Sequence, residues 1–263
     1  MNETTNSILS AKNKTSTNKV ETVSSLILQL DGSKDVDTVA KQLVAFGKPS
    51  VPELIKLLKT GSRTERSNAA YVLARMKTPP MEAIPVIEKI LDEDGTDRMH
   101  VALELQKLNP DSVKAVNILS EELRKGTASD RIIIARVLSL SPSEKFVPVL
   151  MEMSKDADGD VCLAALQTLG EIASINSSAG AGMIPAMVKA LENPSTFVRR
   201  QAARNLGIIG PTASSAVPAL EKMTGTEDSK VRDAVLNALH RINAIKQSGK
   251  SAGKTSLQDL LLK

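Results

Sequence analysis

Aromatic residues are scarce in this chain: its 263 residues include one tyrosine, three phenylalanines and no tryptophan. All-β sandwiches and barrels depend on aromatic and β-branched side chains, so this scarcity argues against an all-β fold and predicts an aliphatic core. With 41% hydrophobic and 24% charged residues, the chain is nevertheless long and apolar enough to fold around a continuous core.

Cysteine and long apolar runs are also scarce. Cys162 is the only cysteine, which excludes an internal disulfide. We expect Cys162 to be a small buried packing residue. No cluster of cysteines and histidines has the spacing of a metal site. The longest apolar runs fall far short of the roughly 20 residues that cross a bilayer, and the first apolar cluster, residues 26–28, is too short for a signal peptide. We therefore expect a cytoplasmic protein with no membrane contact, no metal and no cofactor.

The positive charge is concentrated at the two ends of the chain. Of the net charge of +4, residues 1–20 contribute +2 and residues 243–263 contribute +3, which leaves −1 for residues 21–242. A nucleic-acid surface needs several cations on one face to neutralise phosphates. The nearly neutral central part therefore disfavours nucleic acid as the partner.

One pattern returns about every 33 residues, which is typical of a repeat protein. Each of six units opens with an apolar residue followed by proline, except that Asn117 replaces the proline in the third unit, and a leucine comes about 20 residues later. The prolines are Pro52, Pro85, Pro148, Pro185 and Pro218, and the leucines are Leu73, Leu105, Leu138, Leu169, Leu206 and Leu239. Both series contain one long step of 37 residues, from the fourth unit to the fifth.

A helix N-cap residue type stands eleven residues before each of these leucines, so each unit is predicted to form two helices. The six candidate caps are Ser62, Asp94, Thr127, Asp158, Ser195 and Asp228. In the fifth unit we expect a first helix over residues 184–191 and a second over residues 196–209. The glycine- and serine-rich residues 176–182, which hold the four extra residues of the long step, are predicted to form a loop outside the helices.

Two helices of this size cannot bury their apolar stripes alone, so the units are predicted to stack into an all-α solenoid of about six to seven repeats. The expected organisation is a disordered segment over residues 1–20, a degenerate capping helix pair over 21–46, the repeat array over 47–242, and a flexible basic tail over 243–263. The tail is expected to end in a short leucine-rich helix.

The fifth unit carries the run VRRQAARNLG (residues 198–207), followed by Gly210-Pro211 and by AVPAL (residues 216–220). This segment resembles HEAT repeats of the short kind that also occur in phycobilin lyases. The resemblance implies that the arginine that recurs near the start of each second helix bonds to acidic and carbonyl groups of neighbouring repeats, instead of binding an anionic ligand. These residues are Arg66, Arg98, Arg131, Arg199 and Arg232, with Cys162 in the fourth unit.

In a HEAT solenoid the second helices line the concave side, so the resemblance implies a polar groove with a modest basic bias. The predicted groove residues are Asn68, Arg75, His100, Lys107, Arg136, Gln167, Gln201, Arg204, Asn237 and Arg241. The alternative is a face that is merely solvated. A second candidate contact is Leu257, Leu260 and Leu261. These leucines are predicted to share one apolar side of a short helix over residues 255–263, which is expected either to dock in a partner's groove or to fold back on the last repeat.

The chain shows no catalytic constellation, so the predicted function is a non-enzymatic scaffold that binds a protein or peptide partner. The alternative is a phycobilin lyase-like protein, in which Arg136, Arg204 or Lys107 pairs with the propionates of a tetrapyrrole. The sequence leaves the oligomeric state and the identity of the partner open.

Overall fold

A computed structural model describes residues 22–93 and 97–252, and in these residues every regular element is an α-helix or a short 3-10 helix. The chain divides into two compact units between residues 96 and 97. The first unit contains α1 (Val23–Ile27), α2 (Val36–Phe46), α3 (Val51–Thr60), α4 (Arg63–Leu73) and α5 (Ile84–Ile90). The second contains α6 (Arg98–Leu108), α7 (Val113–Lys125), α8 (Ala128–Leu140), α9 (Val147–Met153), α10 (Gly159–Ile175), α11 (Ser177–Ala190), α12 (Thr196–Ile209), α13 (Val217–Lys222) and α14 (Ser229–Ala252).

The helices of each unit stack in two layers. In the first unit α1, α3 and α5 pack in order as one layer, and α2 packs on α4 in the other. In the second unit α7, α9 and α11 form one layer, and α8, α10, α12 and α14 form the other. Each layer pair is a run of two-helix repeats, so the predicted α-solenoid is confirmed. The core is aliphatic as predicted, with Phe146 as the buried aromatic side chain among the described residues.

The first helix of most repeats begins one residue before the predicted proline. Pro52, Pro85, Pro148 and Pro218 each occupy the second position of their helix, directly after a 3-10 helix. These 3-10 helices are Lys48–Ser50, Met81–Ala83, Glu144–Phe146 and Gly210–Ala216. Proline is tolerated there because the N–H groups of the first turn have no partner within the helix.

Five of the six predicted N-caps stand at the start of their helices. The side chains of Ser62, Thr127, Asp158 and Asp228 accept hydrogen bonds from backbone N–H groups of the first turn, and Ser195 holds the cap position without such a bond. The prediction for Asp94 was wrong, because α6 begins at Arg98 and its cap is Asp97. Asp97 reaches the N–H of His100 at 3.4 Å and so satisfies the free donor, while Asp94 lies outside the described residues.

The predicted loop over residues 176–182 was also wrong, because α11 begins at Ser177. Asn176 caps the helix by accepting from the N–H groups of Ser178 at 2.9 Å and of Ala179 at 3.4 Å. Gly180 packs against Ile209, and a methyl group at Gly180 would stand 2.9 Å from the Ile209 side chain. Glycine at position 180 therefore allows α11 to pack closely against Ile209. The four extra residues of the long repeat step lengthen α11 and not a loop.

The last helix continues past residue 242, where the repeat array was predicted to end, and runs to Ala252. The predicted disordered segment 1–20 and the leucine residues Leu257, Leu260 and Leu261 lie outside the described residues. Within the described ranges, no helix combines the length and the apolarity that crossing a bilayer requires. The cytoplasmic location stays a prediction.

Candidate interaction groove

Two of the recurring arginines form ion pairs with the next repeat. Nη1 of Arg66 lies 2.6 Å from Oε2 of Glu93, which follows α5, and Nη1 of Arg131 lies 2.5 Å from Oδ2 of Asp156, which follows α9. Both arginine side chains are only 18% exposed. The N–H of Asp158 and the Arg131 guanidinium both lower the pKa of Asp156, which keeps the carboxylate charged for this contact. For these two arginines the predicted packing role is confirmed.

In the fifth and sixth repeats, the arginine at the same repeat position donates hydrogen bonds to backbone carbonyl groups. Arg199 donates to the carbonyl groups of Asn193 and Pro194 at 2.8 Å, and Arg232 donates to that of Thr226 at 2.6 Å. In the fourth repeat the buried Sγ of Cys162 donates to the carbonyl of Ser154 at 2.9 Å. Burial, with a smaller contribution from the charge of Asp156, raises the pKa of Cys162 to about 11. The thiol is therefore protonated at neutral pH, as expected of a packing residue and not of a nucleophile.

Successive second helices are joined by side chain to backbone hydrogen bonds at equivalent positions. Oγ1 of Thr168 donates to the carbonyl of Ala135 at 2.8 Å, and Nδ2 of Asn205 donates to the carbonyl of Leu166 at 2.6 Å. Each donor directly precedes the repeat leucine, and each acceptor stands three residues before the leucine of the preceding repeat. This role was not predicted from the sequence, although a polar residue beside a core leucine is a recognisable signal.

The glycine after the repeat leucine makes room for these contacts. A methyl group at Gly170 would overlap Oδ1 of Asn205 in the next second helix. At Gly207 a methyl group would stand 3.1 Å from Cα of Ala238. The Leu-Gly pair of the fourth and fifth repeats is therefore explained by the close approach of the following helix.

A groove of about 350 Å³ lies between α12 and α14, where Gly207 and Ala238 approach each other. We call it the basic groove. Its lining residues are Arg200, Arg204, Gly207, Ile208, Lys230, Ala234, Asn237, Ala238 and Arg241. The floor consists of small buried residues, Gly207, Ala234 and Ala238. The rest of the lining consists of four cationic side chains, one amide and the half-buried Ile208.

No carboxylate lines the basic groove. Among the ion pairs within residues 22–93 and 97–244, none includes Arg200, Arg204, Lys230 or Arg241. Four like charges around one groove create a positive potential that favours an anionic ligand.

A second recess of about 350 Å³ shares Arg200 and Lys230 with the basic groove. It adds Phe197, whose ring lies 5.3 Å below the Arg200 guanidinium and which is 58% exposed. It also adds Asp228, whose carboxylate accepts from the N–H of Val231 at the start of α14. The recess therefore extends the groove with an exposed aromatic surface.

Three predicted site residues, Arg204, Asn237 and Arg241, line the basic groove together. Arg136 on α8 and Gln167 on α10 are exposed but lie outside it. Arg200 and Lys230 were not among the predicted site residues, although they extend the same helix faces toward the N-terminus. Arg200 stands one helical turn before Arg204, so the helix period places both side chains on the same face of α12. Binding by these residues stays a prediction.

Two predicted residues of the first unit make contacts inside that unit. Nδ2 of Asn68 donates to the carbonyl of Leu30 at 2.8 Å. The guanidinium of Arg75 lies 3.1 Å from the ring centre of Tyr71 and donates to its backbone carbonyl. These contacts stabilise the fold around α4.

The remaining predicted residues also have partners within the second unit. Nδ1 of His100 lies 3.0 Å from Oδ2 of Asp97, and Nζ of Lys107 lies 2.9 Å from both carboxylate oxygens of Glu104. Nε2 of Gln201 donates to Oδ1 of Asn205 at 2.9 Å. Gln201 therefore supports the buried amide that joins α10 to α12.

A larger hollow of about 800 Å³ lies in the first unit, between α2, α3 and the segment after α4. It is lined by prolines, methionines and lysines and contains none of the predicted site residues. Among the described residues, no group of three or more histidine, cysteine or acidic side chains is arranged to hold a metal ion. We therefore take the basic groove as the candidate functional site.

Residues 147–240 and 184–263 match the family model of HEAT repeats. Among solved structures, an engineered protein is 25% identical over 92% of this chain and 74% of its own length, with a TM-score of 0.54. The structure of Kap121p bound to Nup53p is 12% identical, with a TM-score of 0.57; the match covers 88% of this chain and 30% of that one. No curated protein matches the chain.

Proposed function

This chain carries HEAT repeats across residues 147–263, and we propose that it is a non-enzymatic scaffold that binds a protein or peptide partner along the exposed faces of its second helices. Helical repeat arrays present long continuous surfaces, and such surfaces are commonly used to bind other proteins. The observation that carries the proposal is the basic groove, where exposed side chains of two second helices converge on one ligand-sized space.

The second helices divide their side chains between packing and surface. On α12, Val198, Ala202 and Leu206 are fully buried, while Arg204 is exposed on the rim of the groove. Residues that repeat packing does not engage are available to a partner, and a partner that supplies negative charge relieves the repulsion among the rim cations.

The chemistry of the rim suits binding better than acid–base catalysis. The groove lining supplies cationic donors in Arg200, Arg204 and Arg241 but no carboxylate, imidazole or thiol that could act as a general base. Each guanidinium offers several donors in a fixed plane, which favours recognition of carboxylate groups.

The proposal is tested with the full-length protein as bait in its native extract, followed by quantitative mass spectrometry. The groove variant is Arg204→Glu/Arg241→Glu. The matched control is Lys155→Glu/Lys222→Glu, which makes the same change in net charge near the ends of α9 and α13, outside the basic groove. We expect the groove variant to lose about tenfold in captured partner and the control to retain it.

Equal capture of the same partners by the groove variant and the wild type would overturn the proposal for this groove. Circular dichroism of both variants separates loss of binding from loss of folding. Adding Arg136→Glu to the groove variant tests how far the binding face extends, because Arg136 is exposed on α8, two repeats earlier.

A further inference from the structure

We propose that the basic groove takes an extended acidic segment of the partner, with carboxylates at alternate positions. This inference rests on the proposed scaffold function and names the chemistry of what is bound. Its first support is charge: Arg200, Arg204, Lys230 and Arg241 line the groove, and no carboxylate lines it with them. An acidic chain supplies the counter-charges that these side chains do not find within residues 22–93 and 97–244.

The second support is spacing. Arg200 and Arg204 are one helical turn apart, about 6 Å along α12, and Lys230 and Arg241 are about 16 Å apart along α14. In an extended peptide, side chains at alternate positions recur on one side about every 6.6 Å. Carboxylates at every second position therefore match the turn spacing of the arginines, and about five residues of peptide span the groove.

The third support is the floor. Gly207, Ala234 and Ala238 carry at most a methyl group, so a peptide backbone can approach the helices closely. Asn237 stands on the rim, and its Nδ2 is fixed by donating to the carbonyl of Asp233 at 2.9 Å. The amide oxygen of Asn237 can accept from a peptide N–H, which adds recognition of the backbone to recognition of charge.

The groove favours a peptide over nucleic acid. Adjacent packed helices have axes about 8–10 Å apart, which is narrower than a nucleic-acid duplex. Proteins that bind single strands stack successive bases on several aromatic side chains. Among the residues that line the basic groove and the neighbouring recess, Phe197 is the only aromatic one.

The test is fluorescence anisotropy with the full-length protein and labelled peptides of about nine residues, long enough to exceed the groove. One peptide alternates glutamate with alanine, a second groups the same glutamates in one block, and a third replaces every glutamate with glutamine. A single-stranded oligothymidylate of equal charge is the fourth probe. We expect the alternating peptide to bind most tightly, and the glutamine peptide about tenfold or more weaker.

The protein variants locate the binding. The Arg204→Glu/Arg241→Glu variant should lose about tenfold or more in affinity for the alternating peptide, while Lys155→Glu/Lys222→Glu should stay within about twofold. Equal affinities for the alternating and blocked peptides, equal losses in both variants, or tighter binding of the oligothymidylate would each overturn the inference.

The scaffold proposal and this inference can fail separately. If the groove variant loses its captured partner but the alternating peptide does not bind, the scaffold proposal stands and the acidic-segment inference is wrong. If the variant retains its partner in full, the scaffold proposal fails for this groove, whatever the peptides show.

Discussion

The junction between α10 and α12 and the junction between α12 and α14 use equivalent repeat positions in different ways. At the first, Asn205 donates to the carbonyl of Leu166 at 2.6 Å, and Gly170 makes room for its side chain. At the second, Ala238 takes the place of Asn205, and Gly207 lets it approach closely. The first junction is therefore fastened by a buried polar contact and the second by close packing of small residues.

The polar side chains of the two junctions are placed accordingly. Gln201 supports Asn205 inside the first junction, whereas Arg204, Asn237 and Arg241 stand on the rim of the groove at the second. A polar residue on a second helix is thus not by itself a binding residue. Its role depends on whether the neighbouring repeat engages it.

The sharpest way to break the first junction is Gly170→Ala. Alanine favours a helix over glycine by about 1 kcal/mol, but its methyl group overlaps the buried amide of Asn205, so we expect a net loss of about 3 kcal/mol in the free energy of unfolding. Urea unfolding measures this loss. In the double variant Gly170→Ala/Asn205→Ala the two losses should be less than additive, and full additivity would contradict the overlap.

Asn205→Ala should cost about 2 kcal/mol, because it removes the bond to Leu166 and leaves a gap in the core. The matched control is Asn237→Ala on α14. Its side chain is exposed, so its unfolding free energy should change by no more than about 0.5 kcal/mol while binding of the acidic peptide weakens. Similar stability losses in both variants would remove the distinction between the two junctions.

Gly207→Ala tests the second junction and should cost about 1 kcal/mol, because the new methyl group stands 3.1 Å from Cα of Ala238. Gly182→Ala is the control, since a methyl group at that position of α11 has no atom within 4 Å. The control should gain up to about 1 kcal/mol from helix propensity. Thermal unfolding that shows a gain at both sites would refute the close contact.

The smallest effect at neutral pH is expected for Cys162→Ala, and the stability difference between the wild type and this variant should shrink as pH rises. Burial raises the pKa of Cys162 to about 11, so the folded protein keeps a proton that the unfolded chain releases near pH 9. The contribution of the thiol to stability is therefore complete below pH 9 and is lost as pH rises toward 11. Unfolding curves across this range should converge for the wild type and the variant; a constant difference would contradict the raised pKa.

Sequence periodicity predicted the elements whose residues recur in every repeat. The second helix of the fifth repeat was predicted over residues 196–209 and α12 covers Thr196–Ile209, because a cap, an apolar stripe and a terminal glycine all mark it. Residues 176–182 misled the prediction because glycine and serine are also acceptable in a helix when a close neighbour, here Ile209, requires small side chains.

The candidate groove was only partly predictable for a related reason. Arg204, Asn237 and Arg241 could be identified from helix phase, but phase does not show which polar residues a neighbouring repeat engages. Asn68, Lys107 and Gln201 fit the same pattern and bond within the protein. That distinction depends on distances between helices, which a single sequence does not contain.

The extra turn at the start of α11 shows how this architecture accommodates changes in length. Four residues advance an α-helix by about 400°, only 40° beyond a whole turn. Gly180 therefore stands nearly above Ile184, and both lie on the buried side of the helix. Two added residues would instead turn toward the solvent by about 200°. Insertions of a whole turn at this site extend the existing apolar seam, which makes it a natural place to lengthen one repeat without rearranging the others.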